Sequence, residues 1–153
     1  MTWRRVDPYF ARRVQRGIFV AGLAFGADYF ATPMKSSSAL TAIEASFVPL
    51  WLWGAAICAA SLAGLVVEGL VLRDDDLVVR SPLRRRWGWV STVAHVVLVA
   101  LFVVLGGSAL QSTIAVGMRT GDYYLWRTPV MWLGFAWLNW QYINVITDRL
   151  PRR

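Results

Sequence analysis

The chain has 153 residues, 57% of them hydrophobic and 16% charged, with 16 Lys and Arg against 9 Asp and Glu for a formal charge of +7. Soluble domains carry about 45–50% apolar and about 25% charged residues, so this composition excludes an ordinary water-soluble globule. The single cysteine, Cys58, excludes an internal disulfide framework, a CxxC redox pair and a cysteine-built metal site.

About 20 consecutive apolar residues are needed to cross a hydrocarbon core of roughly 30 Å. Three runs free of charge meet that requirement: Ala45 to Val67, Trp87 to Met118 with only a neutral His95, and Thr128 to Thr147. A fourth span is expected from about Tyr9 to Ala31. Its apolar centre, Gly17 to Ala27, is short, and Arg12, Arg13 and Arg16 are expected to snorkel back to the headgroups. A cleavable leader is the alternative for a basic N-terminus and a short apolar run. Asp28 and the bulky Tyr29 and Phe30 before Ala31, with no Ala-x-Ala pattern, weigh against it. The expected architecture is therefore all-α: one transmembrane domain over 1–153, an integral membrane four-helix bundle with spans at about 9–31, 49–72, 87–110 and 128–147.

Arginine placement gives the direction, because cytoplasmic segments near span ends are enriched in Lys and Arg. Thirteen of the 16 basic residues lie before the first span, between the second and third, or after the fourth; only Lys35, Arg119 and Arg127 fall in the other two loops. Both termini and the central loop are thus expected in the cytoplasm, with the chain in the inner membrane. The Arg84, Arg85 and Arg86 cluster is expected to face anionic lipid. Nucleic-acid binding is disfavoured, since no cytoplasmic segment is long enough to build a folded basic surface with interleaved aromatics.

After the first span, Pro33 and a serine run indicate a turn. Thr41 and Glu44 have the spacing by which side chains satisfy the first free N–H groups of a helix, so a short interfacial helix is expected there before Pro49 redirects the chain. In the second span, Trp51 and Trp53 are read as interface anchors, as are Trp87, Trp89 and Trp126 further on. Ala56, Ala60 and Gly64 recur every four residues, and Gly22 with Gly26 forms a GxxxG in the first span. Small residues let helices approach closely where lipid removes the hydrophobic drive for association. The two seams are expected to pack together, with homo-oligomer packing equally allowed.

In the central loop, Asp74 to Asp76 is read as a solvated charged segment, because consecutive side chains diverge and no loop of alternating ligands supports a cation site. Trp87 and Trp89 mark the inner edge of the third span, which is expected to end near Gly106 and Gly107. An outer loop follows, from about Gln111 to Arg127. Thr128 and Pro129 start the fourth span in the manner of an N-cap followed by proline, and its Asn139, Gln141 and Asn144 can hydrogen-bond neighbouring helices.

Ionisable residues at membrane depth are costly and so raise the prior for function. Asp28, Glu68 and His95 qualify, with Asn139 and Asn144 as polar companions. Helical rise brings Glu68 and His95 within one or two turns of each other on antiparallel neighbours, and a His paired with a carboxylate can shuttle protons near neutral pH. The competing reading has Glu68 snorkelling beside Arg73 and His95 bonded to a neighbouring helix. One histidine is too few for a catalytic zinc and offers no clear second axial ligand to haem, and no nucleophile motif stands in a supporting context. No catalytic residue, metal or cofactor is expected.

The arrangement Ala39-Leu40-Thr41-x-x-Glu44, then Pro49-x-Trp51-x-Trp53-Gly54, an alanine-rich span and a histidine in the next span resembles small multi-spanning membrane proteins of tailed phages that infect actinobacteria, many of them holin-like. The resemblance covers roughly Ser38 to Val104. It implies a role in the host inner membrane, where holins oligomerise and permeabilise the bilayer to release an endolysin. The leading expectation is a non-enzymatic, oligomerising membrane bundle. The alternatives are an accessory subunit or assembly factor of a membrane complex, or a proton-coupled transport element using Glu68 and His95.

Overall fold

A computed structural model describes residues 8–31, 49–70, 82–121 and 126–148. All regular structure among them is helical: α1 (Pro8–Ala31), α2 (Leu50–Leu70), α3 (Pro82–Thr120) and α4 (Arg127–Asp148). The expected interfacial helix at Thr41–Glu44, the Asp74–Asp76 segment and the Arg149–Arg153 tail lie outside the described residues. Two helices, over Trp51–Gly69 and Trp89–Thr120, are long and apolar enough to cross a membrane.

Each helix buries a stripe whose members lie three or four residues apart. On α1 it is Gln15, Phe19, Gly22, Gly26 and Tyr29; on α2, Gly54, Ile57, Ser61, Gly64 and Val67; on α4, Pro129, Trp132, Ala136, Asn139 and Ile143. This period places one narrow face of every helix inward and is the pattern of near-parallel bundle packing. The α3 stripe runs Ser91, His95, Leu98, Phe102, Leu105 and Ala109, and Phe102, Leu98 and Leu105 form the centre of the core with Phe19, Ile57 and Trp132.

Helix α3 has 39 residues, about 58 Å at 1.5 Å per residue. Pro82 opens it, where the missing N–H costs nothing because the first helical donors have no partner. Gly106 and Gly107, expected to end it, do not. A helix-interior glycine costs only about 1 kcal/mol relative to alanine, and Gly106 is used for close approach: a Cβ there would lie 2.8 Å from Leu133 Cγ on α4. Residues 111–120, expected in an outer loop, form nearly three further turns. The stop is Gly121, at φ 74° with its N–H donating to the Gly117 carbonyl at 2.8 Å, the left-handed cap that glycine adopts without a Cβ clash. Arg119 in the last turn adds a favourable charge at the helix C-terminus.

The helices form two tight hairpins, α1 with α2 and α3 with α4, joined along α2 and α3. The backbones of α1 and α4 approach each other at few points. Glycines set the first hairpin. A Cβ on Gly26 would sit 2.9 Å from the Gly54 carbonyl oxygen and 3.0 Å from the Cys58 nitrogen; one on Gly54 would meet Gly26 O at 2.7 Å. The expected packing of α1 on α2 through small residues is thus present, but α2 meets Gly22 and Gly26 with Gly54, Cys58 and Ser61. Ala56 and Ala60 are half-buried on the adjoining strip, and Gly64 receives the Phe19 ring.

Gly26→Val should destabilise the protein by about 1–3 kcal/mol, because besides the Cys58 sulfur it meets two backbone atoms, which cannot rotate aside. Gly17→Ala, where a Cβ meets nothing within 4 Å, should be neutral or stabilise by up to ~1 kcal/mol. Thermal unfolding of the two variants in detergent checks the pair, and equal melting temperatures would contradict the seam.

Candidate functional site

The interior at one level of the bundle is polar. Gln15 from α1, Glu68 from α2, Ser91 and His95 from α3 and Asn139 from α4 are each at most 6% exposed. Polar groups removed from water need partners, or each costs about 1–3 kcal/mol. Gln15, Ser91, His95 and Asn139 find such partners across helices.

The direction of the hydrogen bonds follows from one backbone carbonyl. Asn139 Nδ2 donates to Phe135 O at 2.8 Å, which can only accept. Asn139 Oδ1 therefore faces His95 Nδ1, at 2.7 Å, and the imidazole must carry its proton on Nδ1 to donate. The other ring nitrogen, Nε2, then accepts from Gln15 Nε2 at 3.2 Å, and the same Gln15 amide donates to Ser91 Oγ at 3.1 Å. Gln15 thus uses both amide hydrogens on α3, one on the ring and one on the hydroxyl. The arrangement holds a neutral imidazole in a single tautomer.

Aromatic rings frame the imidazole. It stacks with Phe19 of α1 at 4.6 Å between centroids and with Tyr142 of α4 at 5.7 Å and 13° between planes. Tyr142 also lies within electrostatic reach of Glu68. Tyr142 thus borders both Glu68 and His95. The ring nitrogens of His95, however, are engaged by Gln15 and Asn139, not by the carboxylate.

The remaining sequence candidates separate into different environments. Asp28 and Asn144 are exposed on α1 and α4. Trp51, Trp89 and Trp126 are 50%, 60% and 43% exposed. Trp53 differs from the anchor expected of it: it packs against the core, and its Nε1 is buried without a hydrogen-bond partner. Trp87, Arg84, Arg85 and Arg86 lie in the first turns of α3, and their side chains fall outside the described set. Among the described residues, no group of three or more His, Cys, Asp or Glu could hold a metal ion.

Gln15 was missed by sequence reasoning because it lies among the arginines of the N-terminal flank. The signal was its period: Gln15, Phe19, Gly22 and Gly26 are four, three and four residues apart, placing the amide on the same inward face as the glycines. Ser91, four residues before His95, carried the same signal. No family model, curated protein or solved structure matches the chain.

The tautomer can be read directly, since His95 is the sole histidine. With ¹⁵N-labelled histidine, the spectrum should contain one resonance of a protonated Nδ1 and one of an unprotonated Nε2. Asn139→Ala should lower stability by about 1–3 kcal/mol by orphaning the buried Nδ1–H. A spectrum dominated by the Nε2–H tautomer would refute the assigned direction.

Proposed function

We propose that the chain is a four-span protein of the bacterial inner membrane, with both termini cytoplasmic, that acts without catalysis by assembling laterally and permeabilising the bilayer in the manner of a holin. The observation that carries the membrane part is an inversion of the usual distribution of polarity. Polar Gln15, Ser61, Glu68, Ser91, His95 and Asn139 are inside, while Val20, Leu62, Val93, Val103, Val130 and Trp137 are between 47% and 63% exposed. Soluble monomers rarely expose contiguous apolar surface of more than a few hundred Å². Lipid removes that cost, and it equally demands that polar groups find partners inside.

Charge follows the same division. Among the described side chains, exposed charge on the helices is confined to Arg13, Arg16, Asp28, Arg119 and Arg127. Arg13 and Arg16 belong to the end of the bundle that the arginine count assigns to the cytoplasm, and Asp28, Arg119 and Arg127 to the opposite end. From Arg16 to Asp28 the rise is about 18 Å, so α1 crosses only if its arginines reach outward along their methylene stems. The arginine-rich flank and apolar exterior support contact with anionic lipid, and the uncharged outer faces of α3 and α4 between their ends leave room for further copies.

A second reading is favoured by one observation. Glu68 is 3% exposed, beside the Tyr142 that also borders His95, and a buried intramembrane carboxylate is commonly part of a proton or ion path. In that reading the chain is a proton-coupled transport element.

Induced expression of the full chain alone in a bacterial host should place it in the membrane fraction and, after a delay, collapse the membrane potential abruptly. Reporters on the two ends should both read cytoplasmic. Normal growth and potential with full-length protein in the membrane would overturn the permeabilising role, and opposite compartments for the ends would overturn the four-span topology. If transport is the function, Glu68→Gln should abolish a pH-dependent flux that persists in the wild type.

A further inference from the structure

We infer that the bundle opens along its α1–α4 edge by a parting of the two hairpins, with the Gln15 bonds from α1 to α3 as the latch, and that the opened face is complementary to the same face of a second copy. This inference rests on the assembling role proposed above and names the surface it uses. The other three helix contacts are continuous: glycines lock α1 to α2, α3 and α4 pack along their length with Gly106 against Leu133, and α2 packs on α3. Between α1 and α4 the backbones stand apart, and side chains fill the gap.

The side chains that hold α1 to the second hairpin are few and fall at two levels. Toward the end of α1 away from Gln15, Phe25 meets Trp132 and Phe135 edge-on at 5.1 and 5.0 Å, and Tyr29 stacks with Trp132 at 6.2 Å. At the polar level α1 is held instead to α3, across the bundle interior: the Gln15 amide donates to Ser91 and His95, and Phe19 stacks on the imidazole, which stacks in turn with Tyr142 of α4. Aromatic rings in edge and offset contact can slide apart without breaking a directional bond. The amide cannot: it holds α1 to α3 or lets it go. Opening would therefore turn on the two hydrogen bonds of one side chain, while both hairpins stay intact.

An opened edge presents Gln15, His95, Asn139 and Glu68 where hydrocarbon would otherwise be. Lipid cannot satisfy them. A second copy can, because a glutamine amide carries both donor and acceptor and so pairs with its own image across a two-fold axis, the commonest symmetry of self-association. The polar interior that is sealed in the closed chain then becomes a shared polar lining between copies.

The test uses the full chain with Cys58→Ser in lipid nanodiscs and spin-label pairs on exposed positions. Val20→Cys with Trp137→Cys spans the edge; Val20→Cys with Leu62→Cys and Val97→Cys with Trp137→Cys report the two hairpins. Gln15→Leu should lengthen and broaden the edge distribution, raising the population beyond the wild-type range about fivefold, equivalent to ~1 kcal/mol of lost hydrogen bonding. It should leave both hairpin distances unchanged. Phe25→Ala, which loosens the other level alone, should act in the same direction. Chains singly labelled at Val20→Cys should show an intermolecular distance that strengthens with Gln15→Leu. Unchanged edge distances in both variants, or hairpin distances that lengthen equally, would overturn the opening edge. Absence of the intermolecular distance in an opened variant would overturn the second copy as its occupant. Dye release from vesicles holding the same samples separates the two levels of argument. An edge that opens and pairs without release refutes permeabilisation and leaves the edge standing, whereas release from chains whose edge stays closed does the reverse.

Discussion

The chain of hydrogen bonds from Gln15 through His95 and Asn139 to the carbonyl of Phe135 has only one consistent direction, and the interior of the bundle is organised by it. A carbonyl oxygen accepts and never donates, so the last link fixes the Asn139 amide, which fixes the imidazole tautomer, which fixes the glutamine. Three helices are held by groups that must all point one way. In a low-dielectric interior such bonds are stronger than in water, and an unpaired member is correspondingly costly. Register between α1, α3 and α4 is thereby specified at a point where leucines and valines alone would tolerate sliding.

The same direction bears on what His95 can do. A histidine that relays protons needs one ring nitrogen open to a donor and the other to an acceptor that releases. Here Nε2 faces an amide NH₂ and Nδ1 already holds its proton against Asn139. Protonating Nε2 would set two donors against each other unless the Gln15 amide turned over, and turning it would aim its oxygen toward Nε2. The ring is therefore coupled mechanically to α1: a change at His95 is a change in how α1 is held. Glu68 lies within electrostatic reach of the Tyr142 ring that stacks on the imidazole, while both ring nitrogens face amides.

Much of this was legible in the sequence, and what escaped did so for physical reasons. The helical class, the small-residue contact between the first two helices and the polar candidates Glu68, His95 and Asn139 follow from apolar run length, GxxxG spacing and the rarity of such residues in apolar runs. The offset of the α2 seam onto Gly54, Cys58 and Ser61 did not follow, because a four-residue alanine repeat drifts around a helix of 3.6 residues per turn, whereas the buried face mixes threes and fours. Gly106 and Gly107 suggested a terminus by propensity, yet tertiary packing against Leu133 decided the matter. Trp53 suggested a rim residue by type, but its position beside Gly54 turned it onto the core. Composition reported what kind of interior was needed; only the period of each stripe reported which side chains supplied it.

The asymmetry between the two sides of α1 then links packing to assembly. Where α1 meets α2, glycines bring backbones together, and any residue with a Cβ would have to displace main-chain atoms. Where α1 faces the second hairpin, aromatic rings reach across to α4 and one amide reaches α3. Contact made by backbone is rigid because nothing in it has rotamers to change; contact made by side chains can be exchanged for contact with another molecule offering the same rings and amides. In the proposed membrane setting, the described residues offer two surfaces for self-association: the apolar outer faces, which lipid would already satisfy, and the edge held by exchangeable side chains. In that setting the second would have the larger driving force once opened, because polar groups left in hydrocarbon cost several kcal/mol each, and an equivalent edge offers the same kinds of partner that opening removes.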